Sequence, residues 1–392
     1  MYQCPKCLYK SNHPLGLLIY DDMCSGCFTH LEKDTTDWLV KLEELRNLLL
    51  TCKKSRRGYD CVVPVMGDAE DFFTVSKVLD LGLSPLIVSV NDYFKNDIGW
   101  KNIHQLITHF DVDSLMFNPD IRVYKDLVRT SLRKFNHILL PFIQLHTSFP
   151  VHIALERKIP LIIWGQNQSV EQVGKFSHDD AVQMSRWSRR EHDLFGKEVG
   201  ILVGNGAQVL ERDLNYYHYP NTDTLSRKNV TGIYLSNYMR WDPLLQNKST
   251  VNFGFTPEIN RSSFDIYERA GSSVYYGMHD ILKFKRVGYR KVTDHIVREI
   301  RHRRIDLGDA KSLNEMYGSV TINPKPFFDW LEVSSSGYEW FLKHRLDDVK
   351  HLISHETDSF EPKILPQNIA EQLVNGNASK EKFLAFAKGI EI

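Results

Sequence analysis

The stretch that decides the fold is YDCVVPVMGDAEDFF, residues 59–73. It begins with a short apolar run, typical of a strand buried on both faces, and it ends in the start of a helix. The turn between the two contains Gly67 and three acids, Asp68, Glu70 and Asp71. In α/β proteins a turn at this position usually binds phosphate on the N–H groups of the helix start. Three carboxylates in the turn conflict with that use.

The chain continues with the same alternation of strand and helix patterns. Short apolar runs predict strands, and the stretches between them predict helices. The predicted strands are 61–65, 85–90, 114–117, 160–164 and 231–236, and the helices between them are 70–81, 98–110, 121–135 and 147–156. This order predicts the α/β class with a doubly wound, mostly parallel sheet.

Ligands on such a sheet bind at the carboxyl ends of its strands. The residues at those ends are Gly67, Asp68 and Asp71 after the first strand, Asn91 and Asp92 after the second, and Gly165, Gln166 and Asn167 after the fourth. Two alternatives stay open. An Asn-Asp pair is also common in ordinary turns, and the acids of the first turn can simply cap their helix.

Four of the six cysteines form the pattern C-x2-C-x16-C-x2-C. They are Cys4, Cys7, Cys24 and Cys27. Two close pairs of thiolates suit tetrahedral zinc, so we expect a structural zinc in a zinc-ribbon-like knuckle over residues 1–33. The alternatives are two disulfides or a site that has lost its metal.

The remaining boundaries follow from composition and periodicity. Residues 34–58 are expected to form a helix, capped by Thr35 or Thr36, and a linker. An α/β domain is expected over 59–236, a mainly helical substrate or partner region over 237–350, and a tail with short helices over 351–392. The helical patterns of the last third are 275–287, 291–303, 309–317, 325–333 and 337–344, and residues 179–195 also have a helical pattern.

Composition excludes some classes of function. Lys and Arg number 49, as do Asp and Glu, so net charge favours neither nucleic acid nor an anionic membrane as partner. No run of about 18 apolar residues predicts a membrane span, and the first residues do not have the apolar core of a signal peptide. We therefore expect a cytoplasmic protein.

Several segments together resemble a known family. They are PLIVSVND, PLIIWGQN, YLSNYMRWDP and KFKRVGYRKVTDHIVREIRHRRI, and they follow the cysteine knuckle and the turn after residue 65. In order and spacing they look like the N-acetyl sugar amidotransferases of bacterial surface-glycan biosynthesis. The resemblance runs from Cys4 to about His344 and is most specific over 234–305. It implies the PP-loop fold of the adenine-nucleotide alpha-hydrolases.

The resemblance also implies a chemistry. Such enzymes convert the acetamido group of a sugar into an acetamidino group, in lipopolysaccharide O-antigen or a flagellar nonulosonic acid. ATP with Mg²⁺ activates the amide oxygen, and ammonia displaces AMP. The substrate is a sugar or a nucleotide-activated sugar. Ammonia is expected from a separate glutaminase paired with a cyclase-like partner subunit.

Further site residues follow from the family's pattern. Glu70, Asp294 and His295 are expected in catalysis, and Arg240, Trp241 and Asp242 are expected to bind the sugar. The alternatives are a packed tryptophan beside a surface ion pair, and a helix cap at Thr293 or Asp294. The basic run over 298–304 can hold a diphosphate or form a solvated helix face.

The sequence departs from the family at two places. The family's loop resembles S-G-G-x-D-S, whereas residues 66–71 are MGDAED. A carboxylate about 4 Å from a phosphate charge costs on the order of 4 kcal/mol, roughly a thousandfold in affinity. A Mg²⁺-bridged variant would avoid this cost. The family's cysteine pair is also missing from 135–149, where His137 and His146 are interpreted as core or surface residues.

Three hypotheses of function remain. The first is an ATP-dependent sugar amidotransferase with an unusual loop. The second is a catalytically inactive paralogue that binds or scaffolds in the same pathway. The third is a tRNA-modifying PP-loop protein, against which the zero net charge argues.

Overall fold

Five parallel strands form one sheet in the described part of the chain, in the order β3-β2-β1-β4-β5. The structure is a computed structural model that describes residues 2–52, 58–180, 194, 196–203, 209–258 and 262–354. The strands are β1 (Cys61–Val65), β2 (Pro85–Val90), β3 (Ser114–Phe117), β4 (Leu161–Trp164) and β5 (Thr231–Tyr234). The chain builds β1, β2 and β3 outward in one direction and then returns to place β4 on the other side of β1. The point in the sheet where the direction of winding reverses therefore lies between β1 and β4. The predicted doubly wound α/β sheet is confirmed.

Helices cover both faces of this sheet. The first seven are α1 (Ser25–Glu32), α2 (Trp38–Cys52), α3 (Ala69–Asp80), α4 (Asp97–Phe110), α5 (Ile121–Phe135), α6 (Leu140–Arg157) and α7 (Gln168–Glu171). The later helices are Thr222–Lys228, Pro243–Ser249, Tyr276–Val287, Lys291–Arg301, Leu307–Gly318, Lys325–Trp330 and Ser335–Arg345. Short 3₁₀ turns cover Val199–Leu202, Glu211–Tyr217, Leu235–Asn237, Thr250–Phe253 and Asp347–Leu352. The predicted helical character of the last third is confirmed.

The two faces of β1 belong to two separate cores. Val62 packs into the core that contains Leu127 of α5 and Leu145 of α6. Val63 packs into the core that contains Phe72 of α3. Successive strand residues point to opposite faces, so a strand covered on both sides must be apolar throughout. This is why the strand appears as a continuous apolar run in the sequence.

Two predicted helix starts were wrong. Helix α6 begins at Leu140 rather than near residue 147, because Pro141 lies in its first turn and Pro150 is accommodated inside it. Helix α2 is capped by Asp37, whose carboxylate accepts from the N–H groups of Leu39 and Val40. The hydroxyls of Thr35 and Thr36 instead donate to the carbonyl of Glu32 at the end of α1.

Two predicted segments lie outside the described residues, wholly or in large part. They are the helical pattern over 179–195, of which 181–193 and 195 are not described, and the tail beyond residue 354. Among the described helices, none has the length and apolar character needed to cross a bilayer.

The N-terminal knuckle packs against the segment after β4. A Cβ on Gly26 would lie 2.6 Å from the carbonyl oxygen of Gln172, and the Ser25 hydroxyl donates to the carbonyl of Val173 at 2.6 Å. Below this contact, the buried Lys33 ammonium forms an ion pair with Glu171 and donates to a backbone carbonyl. The knuckle is therefore placed beside the carboxyl end of β4.

Candidate functional site

A cavity of about 840 Å³ lies at the carboxyl ends of β1 and β4, where the direction of winding reverses. This is the edge at which open α/β sheets bind ligands. Its walls include the knuckle, the turn after β1, the end of β4, the segment that joins α5 to α6, the start of α6, the segment around Arg269, and the helices Tyr276–Val287 and Lys291–Arg301.

The turn after β1 binds its own carboxylate. Oδ2 of Asp71 accepts three hydrogen bonds, from the N–H groups of Met66, Gly67 and Asp68, at 2.7, 2.8 and 2.9 Å. Gly67 has φ +95°, a left-handed conformation that turns these N–H groups toward one point. Burial raises the pKa of Asp71 to about 7, whereas the three donors favour its ionised form. A side chain thus occupies the anion position of this turn.

Glu70 crosses from α3 to the end of β4. Its Oε1 accepts from the N–H of Gln166 at 2.8 Å. A Cβ on Gly165 would lie 2.3 Å from the same oxygen, so the glycine makes room for the carboxylate. Burial raises the pKa of Glu70 to about 8. Glu70 therefore spans the crevice in which a ligand would sit on such a sheet.

The third acid of the turn, Asp68, is buried at the start of α3. Burial raises the pKa of its carboxyl, and its Oδ1 has no hydrogen-bond partner. Asp68, Glu70 and Asp71 line one edge of the cavity, and Gly67 lies in the same turn. Their roles in cofactor binding and catalysis stay predictions.

The residues after β2 are engaged in their own turn. Oδ1 of Asn91 accepts from the N–H of Tyr93, and its amide donates to the side chain of Asn118. Asp92 accepts from the N–H of Phe94 and forms a buried ion pair with Lys95 at 3.1 Å. This geometry is the ordinary turn that we kept as the alternative, and a role in cofactor binding stays a prediction.

Gly165, Gln166 and Asn167 all line the cavity. Asn167 also caps α7, since its Oδ1 accepts from the N–H of Ser169, and its own N–H donates to the hydroxyl of Ser236. The backbone after β4 is thereby held between α7 and the end of β5.

Asp294 and His295 lie in the wall of the same cavity. Asp294 accepts a hydrogen bond from Tyr9 of the knuckle at 2.9 Å and forms an ion pair with Lys283. Burial opposes ionisation, but Lys283 and Lys291 lower the pKa of Asp294 to about 2. Asp294 is thus a fixed negative charge rather than a proton donor near neutral pH.

Both ring nitrogens of His295 are engaged. Nδ1 meets the hydroxyl of Ser263, and Nε2 lies 2.6 Å from a carboxylate oxygen of Glu268. Asp265, Glu268 and His295 lie close enough to hold a metal ion. However, Arg298 already pairs with Asp265 and Lys291 with Glu268, so two cations neutralise these carboxylates. His295 therefore positions Glu268, and its catalytic role stays a prediction.

The three residues expected to bind sugar join the knuckle to the helical region. Arg240 pairs with Asp34 at 2.7 Å, and Asp242 binds Arg304 through both oxygens. Trp241 has no exposed surface and packs edge-on against Phe73. A packed tryptophan beside ion pairs was our alternative, and it is the arrangement observed.

Most arginines of the basic run over 298–304 bind groups inside the protein rather than solvent. Arg301 donates to the carbonyls of Glu171 and Gln172 and contacts the sulfur of Cys24 at 3.6 Å. Arg298 and Arg304 are held in internal ion pairs, while the side chain of Arg303 is 75% exposed. Arg303 is therefore solvated, but it follows the end of the helix Lys291–Arg301 rather than lying on its face.

Four buried cysteines lie together in the knuckle. The sulfurs of Cys7 and Cys24 are 3.8 Å apart, about the edge of a tetrahedron with Zn–S bonds of about 2.3 Å. Sγ of Cys4 accepts from the N–H groups of Lys6 and Cys24, as suits a thiolate. The donor set fits a metal ion, and sulfur ligands in this geometry are consistent with zinc.

Several cavity residues were not predicted from the sequence as site residues. Tyr9 comes from the knuckle, Arg269 from an irregular segment, and His279 from a helix, and His137 and His146 also line the cavity. The rings of His137 and His279 are 5.1 Å apart, and His137 is buried, as one of the two interpretations had it. No local pattern marks Tyr9 or Arg269, because only tertiary packing brings them here.

No known family's sequence profile matches this chain. No curated protein is significantly similar to it.

Proposed function

We propose that this protein is a non-hydrolysing relative of the N-acetyl sugar amidotransferases, which binds a sugar in the cavity as part of a surface-glycan pathway. One observation carries the proposal: Oδ2 of Asp71 accepts hydrogen bonds from the three backbone N–H groups that would otherwise donate to a phosphate.

A nucleotide phosphate would have to displace this carboxylate and then lie beside it. The cost is on the order of 4 kcal/mol for an ionised carboxylate about 4 Å from a phosphate charge. Since one phosphate contact at a helix N-terminus contributes less than this, the turn favours its own side chain over ATP.

The rest of the cavity suits a sugar. Its volume is in the range of small-molecule pockets. It combines aromatic surface, from Trp164 and Tyr276, with polar groups such as Gln166 and the acids of the first turn. Sugars are bound by this mixture, because hydroxyl groups pair with carboxylates and amides while ring faces pack on aromatic side chains.

A second candidate is the active ATP-dependent amidotransferase, with Mg²⁺, a partner glutaminase and a cyclase-like subunit. Glu70 favours it, because this residue keeps a carboxylate at the family's acidic position and is placed beside β4. In that case Mg²⁺ would have to bridge Glu70 and the nucleotide.

Pyrophosphate release distinguishes the two candidates. The purified protein is incubated with MgATP, ammonium and an N-acetylated sugar nucleotide, and we expect no release above a blank. Release that depends on the sugar would refute the proposal.

A loop variant serves as the positive control. It combines Met66→Ser, Asp68→Gly, Glu70→Asp and Asp71→Ser, which restores the family's residues, and calorimetry should detect MgATP binding by it. Failure of this variant to bind would mean that the cavity as a whole, rather than the turn, excludes nucleotide. Binding of N-acetylglucosamine by the unmodified protein tests the sugar site itself.

A further inference from the structure

Arg269 is a cation at the cavity edge that forms no salt bridge with any described residue. Its guanidinium lines the cavity beside Met66 and Asp68. Within the described parts of the chain it contacts the sulfur of Met66 at 3.7 Å and lies 5.5 Å from the ring centre of Tyr276, and it makes no salt bridge. Its Nε is buried without a hydrogen-bond partner.

The neighbouring carboxylates are already committed or held apart. Glu268 uses one oxygen for Lys291 and the other for His295, each at 2.6 Å. Asp71 is bound to the turn after β1. Oδ1 of Asp68 is also buried without a hydrogen-bond partner. Burial opposes the charge of Arg269, but nearby Asp68 and Glu268 raise its pKa, so the half-buried guanidinium stays charged. A charged group at a cavity wall with an unbonded buried donor points to a missing ligand.

The backbone of Arg269 is strained and held in place. Its φ is +64°, a left-handed conformation that is costly for a long side chain. On one side, Asp265 accepts from the N–H groups of Tyr267 and Glu268. On the other, Glu258 accepts from the N–H of Gly271 at 2.6 Å. Two buried or half-buried acids thus fix the segment and aim the guanidinium at the cavity.

We propose that Arg269 binds the oxyanion, a carboxylate or a phosphate, of a carbohydrate ligand in this cavity. The planar guanidinium presents parallel N–H donors that match either group. A hydroxyl beside the oxyanion would donate to the free oxygen of Asp68, so an acidic sugar or a sugar phosphate satisfies both unpaired groups. The inference rests on the proposed sugar-binding function and gives the charge of its ligand.

Three probes test it by calorimetry with the full chain. N-acetylmuramic acid carries a carboxylate, N-acetylglucosamine 6-phosphate carries a phosphate, and N-acetylglucosamine is neutral. We expect one or both anionic probes to bind about tenfold to a hundredfold more tightly than the neutral sugar. The arm that shows the preference identifies the oxyanion.

The variant Arg269→Gly removes the guanidinium and relieves the backbone. Its matched control is Arg303→Gly. The backbone of Arg303 is also left-handed, at φ +59°, but its side chain is exposed and pairs with Asp34 at the surface. We expect Arg269→Gly to abolish the preference for anions, Arg303→Gly to keep it, and both to have similar Tm values because glycine suits both positions.

Five results would overturn the inference. The first is equal affinity of the three probes for the unmodified protein, and the second is an anion preference that survives Arg269→Gly. A Tm loss in Arg269→Gly well beyond that of the control would assign Arg269 a structural role. Binding of the neutral sugar alone would leave the proposed function intact, whereas binding of no probe would contradict both.

Discussion

Replacing Asp71 by serine should open the turn after β1 to anions. The carboxylate accepts hydrogen bonds from three N–H groups at 2.7 to 2.9 Å, so its loss leaves all three donors without this partner. Hydrogen bonds to a charged group contribute about 1.5–3 kcal/mol each, but water can reach this half-buried turn and replace them in part. We therefore expect a loss of about 2 kcal/mol in the free energy of unfolding, near the upper limit for removal of a helix cap.

The same change should increase affinity for pyrophosphate. Removing a carboxylate from about 4 Å of a phosphate charge is worth on the order of 4 kcal/mol, or roughly a thousandfold. Calorimetry of pyrophosphate binding and urea unfolding measure the two effects on the same samples. The control is Asp97→Ser, which removes an exposed acid from the first turn of α4 and should change neither quantity by much.

Two results would refute this reasoning. If Asp71→Ser loses stability but binds pyrophosphate no better than the unmodified protein, the three N–H groups do not form an anion site. If stability does not change, the carboxylate does not make these contacts in solution.

Three further outcomes follow from the buried charges and thiols. Elemental analysis should find about one zinc per chain, and Cys24→Ser should remove it and expose Tyr9 to quenchers of fluorescence, since the knuckle depends on the metal. Glu70 has a pKa of about 8 in the folded protein, above its ordinary 4.5, so the folded state holds a proton that the unfolded state releases. Stability should therefore fall between about pH 4.5 and 8, by up to about 1.4 kcal/mol per pH unit, and urea unfolding of Glu70→Gln should show a flatter pH dependence. Lys33→Met leaves Glu171 as an unpaired buried charge and should cost about 3–5 kcal/mol in urea unfolding, part of which the added change Glu171→Gln recovers.

The strands could be predicted closely because their signal is local. A strand buried on both faces must be apolar throughout, and β1 and β2 were predicted with the bounds that they have. Helix α6 was predicted to begin near residue 147, whereas it begins at Leu140 with Pro141 in its first turn and Pro150 in its interior. Its side chains pack on the sheet strongly enough to override the usual exclusion of proline from a helix interior.

The site could be predicted only where it follows the strand ends. Those positions are local in sequence, so Asp68, Asp71 and Gln166 could be placed at the edge where the cavity lies, while their roles stay predictions. Arg269 could not be found, since its left-handed backbone is imposed by Asp265 and Glu258 and no propensity indicates it. Tyr9 reaches the cavity only because the knuckle packs on the segment after β4, a contact of two segments more than a hundred residues apart.

The acidic turn has an explanation that charge counting alone did not provide. From the sequence, three carboxylates at a phosphate position predict repulsion. In the structure, Asp71 takes the place of the anion, Glu70 bridges to the end of β4, and only Asp68 keeps a free buried oxygen. The anion position of the turn is therefore filled from within the chain. Arg269 lies beside this turn, and its guanidinium contacts the sulfur of Met66 at 3.7 Å. A ligand bound by Arg269, as we propose, would therefore lie beside the anion position of this turn rather than in it.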